Sequence, residues 1–157
     1  MRGRSLTALV LTVVVQGPLG VVSADDMTAA RRWTSSAWCV DEIAVMSHTS
    51  GGDGISRGTV RTYTGNCSTE INRDVQFIAE KVLVWFRRNN GDKPALCVYT
   101  DYYYNPKLAW AMQLTLSYPA TPWCGQGWYE TEAGGWLWYD GHWHGGSVLS
   151  GQHFLNV

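Results

Sequence analysis

His142 and His144 stand two residues apart, a spacing that puts both imidazoles on one face of a strand. Glu130, Glu132 or His153 on a neighbouring strand would complete a metal site. Two imidazoles with no third ligand fixed by spacing equally describe an ordinary exposed strand face. Catalysis from this set would give Glu130 or Glu132 an acid–base role, as in a small secreted hydrolase or metal-dependent enzyme. The same segment carries a denser signal in Trp136, Trp138 and Trp143, with Tyr139 among them. Flat indoles on a rigid strand pair stack against the apolar faces of sugar rings at little conformational cost. Packed inside a small sheet protein, the same three would instead be its core, since a large aromatic side chain buries roughly 150–250 Å2.

Asp140-Gly141 is a strong signal for a two-residue hairpin turn. Such a turn sets Tyr139 opposite His142, Trp138 opposite Trp143, Leu137 opposite His144 and Trp136 opposite Gly145. Period two then sorts Trp136, Trp138 and Trp143 onto one face, with Gly145 opening space beside Trp136. Leu137, Tyr139, His142 and His144 take the other. Upstream, Asp101-Tyr102-Tyr103-Tyr104-Asn105 reads as a tyrosine-rich binding edge or as an edge strand beside a loop. Asp41 and Glu42 are adjacent, so on a strand they point to opposite faces and cannot act as a pair. No Gly-x-Ser-x-Gly elbow, His-Glu-x-x-His, phosphate-binding loop or dinucleotide fingerprint is present, and no cofactor is expected. Asn66-Cys67-Ser68 matches the glycosylation sequon, a match read as chance.

The elements that must position these residues are strands. Cys39 to Met46, Gly58 to Thr64, and residues 81–88 with 95–104 as a hairpin all read as β. Over 108–118, Trp110, Met112, Leu114, Leu116 and Tyr118 alternate strictly with smaller or polar residues, and Pro119 and Pro122 end the run. Ile71, Val75, Ile78, Val82 and Trp85 recur at helical spacing, which allows one short helix near 70–80. Residues 25–36 read as a loose arm or a short helix. After Trp123 the chain is a meander punctuated by Gly134-Gly135, Gly145-Gly146 and Gly151. The fold class is all-β: a small antiparallel sandwich or barrel linked by disulfides.

Residues 1–24 have the form of a signal peptide: Arg2 and Arg4, an apolar run from Leu6 to Val15, and Val22-Ser23-Ala24 before the cut. That run is shorter than the roughly 20 apolar residues a membrane helix needs, and no second one follows. Residues 25–157 then form a single secreted domain. Loss of Arg2 and Arg4 leaves ten cations against thirteen acids, so the formal charge moves from −1 to −3. No Lys or Arg follows Lys107, which makes nucleic acid and other polyanions poor partners for the C-terminal third. Cys39, Cys67, Cys97 and Cys124 form an even set with no Cys-x-x-Cys pair, which fits two disulfides in an exported chain. Of three connectivities, Cys39–Cys67 with Cys97–Cys124 closes the shortest loops.

Cys39, Tyr63-Thr64-Gly65-Asn66-Cys67, Leu96-Cys97-Val98 and Cys124-Gly125 occur in an order that resembles the spore-associated protein group, small exported four-cysteine proteins of filamentous actinobacteria. The resemblance covers residues 38–125; the aromatic tail and the longer gap between Cys97 and Cys124 depart from it. It implies a β-rich, disulfide-linked protein at or beyond the cell surface and supplies no catalytic residues. The functional expectation is an exported, non-enzymatic binding protein that holds a carbohydrate or cell-envelope ligand through the aromatic hairpin. The alternatives are the small hydrolase or metal enzyme built on His142 and His144, and a protein-binding factor, inhibitor or toxin, presenting Tyr102 to Tyr104.

Overall fold

The computed structural model describes residues 11–14, 26–49, 53–117 and 124–156. Its strands are β1 (Leu11–Val14), β2 (Asp26–Thr34), β3 (Trp38–His48), β4 (Gly54–Thr64), β5 (Ile78–Arg87) and β6 (Ala95–Tyr99). They continue with β7 (Tyr103–Tyr104), β8 (Ala111–Ser117), β9 (Gly127–Tyr139), β10 (His142–Leu149) and β11 (His153–Leu155). One sheet runs β1-β8-β4-β3-β2; the other runs β10-β9-β5-β6, with β11 added to β9 and β7 to β5. All pairings are antiparallel. Among the described residues there is no helix, so none could cross a membrane.

The sheets pack face to face because each carries an apolar side at period two. Met46, Leu114 and Leu116 from the first meet Val82, Val84 and Tyr129 from the second. Val40, Val60 and Met112 meet Ile78 and Leu137 in the same way. Met112, Leu114 and Leu116 point inward, as the alternation of β8 requires. Cys39–Cys67 and Cys97–Cys124 are both formed, with Cα separations of 5.5 and 5.9 Å, so the shortest-loop pairing holds.

Two segments differ from the sequence reading. Residues 26–34 are an edge strand rather than an arm or a helix, paired along β3 with a register shift between Arg31 and Trp33. The helix near 70–80 does not form. Gln76 adopts φ 65°, a left-handed conformation that interrupts a helix, and Ile78 already pairs with Leu137 in β9. Fully buried Asn105 holds this loop: Oδ1 accepts from Ile78 N at 2.8 Å, and Nδ2 donates to Asp74 O at 2.7 Å and Lys107 O at 2.8 Å. Leu11–Val14, inside the run assigned to the leader, lies along β8 with Leu11 opposite Leu116. The rest of the predicted leader, and Tyr118, Pro119, Pro122 and Trp123, fall outside the described residues.

Candidate functional site

The hairpin register is the one the Asp-Gly turn predicts. Asp140 and Gly141 take φ 49° and 77°, which a type I′ turn requires, and Trp138 faces Trp143 while Trp136 faces Gly145. A side chain at Gly145 would collide with the Gly135 carbonyl, so this position must stay bare for β10 to lie against β9. Leu137 is fully buried in the core, which turns Trp136, Trp138 and Trp143 to the outer face of the second sheet.

There the indoles meet the tyrosine-rich segment. Ala79, Tyr102, Tyr104, Trp136 and Trp143 line a cleft of about 180 Å3. Tyr102 stands edge-on to Trp136 (5.2 Å, 65°), Tyr104 leans on Trp143 (5.7 Å, 43°), and Trp138 meets Trp143 edge-on (5.4 Å, 64°). Lys81 Nζ sits 5.1 Å from the Tyr102 ring and 5.6 Å from that of Tyr99, within cation–π range. Tyr99, Tyr102 and Tyr104 remain 55%, 49% and 46% exposed and Trp143 39%, so the rim is open to a ligand. Both ends of the tyrosine segment are fixed. Thr100 Oγ1 accepts from Val82 N at 3.0 Å, and Asn105 anchors the other end on Ile78. The aromatic rims are therefore held before any ligand arrives.

Trp136 lies flat because Gly134 leaves room for its ring; a Cβ at 134 would occupy the position of the indole edge. Gly134→Ala is expected to push that ring off the sheet while the fold persists. A red-shifted tryptophan emission with an unchanged far-ultraviolet dichroism spectrum would report this, and an unshifted emission would contradict it.

The other predicted site residues fall elsewhere. Tyr139 is half-buried on the inner face with Trp33 and Trp38, away from the three indoles. His144 stacks on Trp33 at 4.3 Å and donates from Nε2 to Tyr139 O at 3.1 Å, while His142 is exposed at the turn. Glu130 and Glu132 point outward, on the side opposite His144, and their oxygens are engaged. Arg87 Nη2 donates to Glu130 at 3.0 and 2.8 Å; Trp85 Nε1 and Ser147 Oγ donate to Glu132 at 2.9 and 2.8 Å. His153 belongs to a chain at another place. Its Nδ1 donates to Asp26 Oδ2 at 2.7 Å, which leaves Nε2 to pair with His48 Nδ1 at 2.7 Å. Among the described residues no three His, Cys, Asp or Glu side chains assemble into a set that could hold a metal ion.

A second constellation, in the core, was not singled out from the sequence. Glu42 from β3 and Glu80 from β5 are fully buried and meet between the sheets, where Gly135 and Gly58 make room for their carboxyls. The Thr59 and Ile43 amides approach Glu42, yet no donor reaches bonding geometry with any of the four oxygens. Burial pushes Glu42 up to about 8, with the Glu80 contact, those amides and Arg32 pulling the other way. Burial first, and then the charge of Glu42, raise Glu80 well above the carboxylate range. The two form a buried carboxyl dyad that burial and mutual repulsion both push toward the protonated form. The signal was in the parity of the strands. Glu42 shares a face with Val40 and Ala44, and Glu80 shares one with Ile78 and Val82. Comparison of the chain with protein-family models, with curated proteins and with solved structures finds no match to any of them.

Proposed function

We propose that this is an exported binding protein that holds a glycan of the cell envelope or the surrounding medium on the outer face of its second sheet. The observation that carries the reading is the cleft in which Trp136, Trp143, Tyr102 and Tyr104 surround Ala79. Its walls are flat and rigid, its floor is a methyl group, and the nearest cation, Lys81, is packed over tyrosine rings. That combination suits the apolar face of a sugar ring with hydroxyls bonded at the edge. Two disulfides, typical of extracellular proteins, support the placement outside the cell. The segment Tyr102 to Tyr104 supports this reading over a protein-binding edge, because Tyr102 and Tyr104 pack on indoles and close a cleft.

Titration of tryptophan fluorescence with a panel of soluble glycans tests it. At least one glycan is expected to bind saturably, and Trp136→Ala and Trp143→Ala each to weaken it about tenfold or more, roughly 1.4 kcal/mol. The reading fails if no glycan changes the emission and both variants unfold, because the indoles would then be serving only the fold.

A further inference from the structure

The outward residues of β9 continue well beyond the cleft. From one end of the strand to the other they are Trp128, Glu130, Glu132, Gly134, Trp136 and Trp138. Trp128 therefore stands eight residues from Trp136 on the same face, roughly 26 Å along the strand. It forms a second aromatic station with Phe154, edge-on at 5.3 Å and 65°. Phe154 is 41% exposed. Beside that pair lies a hollow of about 580 Å3 whose described lining includes Asn89, Asn90 and Gln126, whose amides both donate and accept hydrogen bonds, and Arg88, which donates only.

Between the two stations the face is polar and its carboxylates are partnered. Glu130 is matched by Arg87 at 2.8 Å, and the two Glu132 oxygens accept from Trp85 and Ser147. Along this stretch Arg87 is committed to Glu130 and Lys81 to the Tyr99 and Tyr102 rings, so an anionic polymer gains little from them, whereas a hydroxyl-rich neutral chain meets fixed donors and acceptors between two aromatic platforms.

We infer that the ligand is a neutral, linear polysaccharide lying along β9 and engaging Trp136 at one end and Trp128 at the other. This rests on the glycan-binding reading of the cleft and adds the length, direction and charge of what it holds. A single sugar fills only the Trp136 end; affinity grows as the chain reaches the Trp128 end.

Calorimetric titration with dimers and hexamers of β-linked glucose, mannose, xylose and N-acetylglucosamine tests this, with a galacturonate hexamer as the anionic control. In the series that binds best, the hexamer is expected to bind at least tenfold tighter than the dimer. Trp128→Ala should bring the hexamer to the level of the dimer while leaving dimer affinity unchanged. Phe154→Ala, at an exposed ring, repeats the test should Trp128→Ala fail to fold. The inference is overturned, and the cleft reading kept, if a dimer binds but the hexamer gains nothing, or if neither variant separates them. It is also overturned if galacturonate binds as tightly as the neutral hexamers. If no neutral oligomer binds at either length, both readings fall together.

Discussion

At pH 8 the Glu42→Gln variant is expected to be more stable than the parent chain by several kcal/mol, and at pH 4.5 to have about the same stability. The folded chain holds the Glu42 proton up to about pH 8, whereas an unfolded chain releases it near 4.5. Between those values the folded state binds more protons than the unfolded one, so stability falls as the pH rises. The contribution of the protonated carboxyl is fully present below pH 4.5 and is gone once the pH has passed 8. At 1.36 kcal/mol per unit the loss for Glu42 is on the order of 4–5 kcal/mol, a large share of a small domain's net stability. Glutamine is neutral and of nearly the same shape, so it removes this dependence without opening a cavity. Glu80→Gln should also raise stability at pH 8, because its amide can donate to the Glu42 carboxylate. Urea midpoints at the two pH values measure both effects. A parent chain whose midpoint does not move with pH would show that the dyad is not protonated as described.

Removing either disulfide is expected to cost about 3–4 kcal/mol from loop closure alone, for loops of 28 and 27 residues. The two should differ in what else they disturb. Cys39–Cys67 joins the start of β3 to the turn after β4, deep in the first sheet, and Cys39 is fully buried. Cys97–Cys124 instead ties β6, the outermost strand of the second sheet, to the segment before β9. β6 carries Tyr99, whose ring receives Lys81 beside the aromatic cleft. The Cys97→Ala/Cys124→Ala variant should therefore lose glycan affinity as well as stability, while Cys39→Ala/Cys67→Ala should lose stability alone. Denaturant midpoints and fluorescence titration of the two variants separate these effects. Equal midpoints for parent and variants would contradict the stability estimate.

The parts legible in the sequence were those fixed by local rules. Asp140-Gly141 set the register of its hairpin, and strict alternation set the buried face of Met112, Leu114 and Leu116. The pairing of the cysteines followed from loop length. The edge strand β2 was hidden because a strand bonded on one side needs little apolar patterning of its own. The segment 70–77 has helical spacing, yet Asn105, some 30 residues on, supplies its backbone partners. The candidate site was half legible. The face shared by Trp136, Trp138 and Trp143 came from parity, whereas Tyr102 and Tyr104 reach it only because β7 pairs with β5 and β5 with β9. For the same reason Glu42 could be read as an acid on an apolar face, but its partner Glu80 depends on how the two sheets stack.

The central claim, that the outer face of the second sheet is where this protein binds, is tested most directly by following its indole Nε1–H resonances during titration with a bound glycan. Trp136, Trp138 and Trp143 are expected to shift, and Trp33 and Trp38, packed on the inner side with Tyr139, to stay in place. Shifts confined to Trp33 and Trp38, with the three outer indoles unmoved, would contradict it.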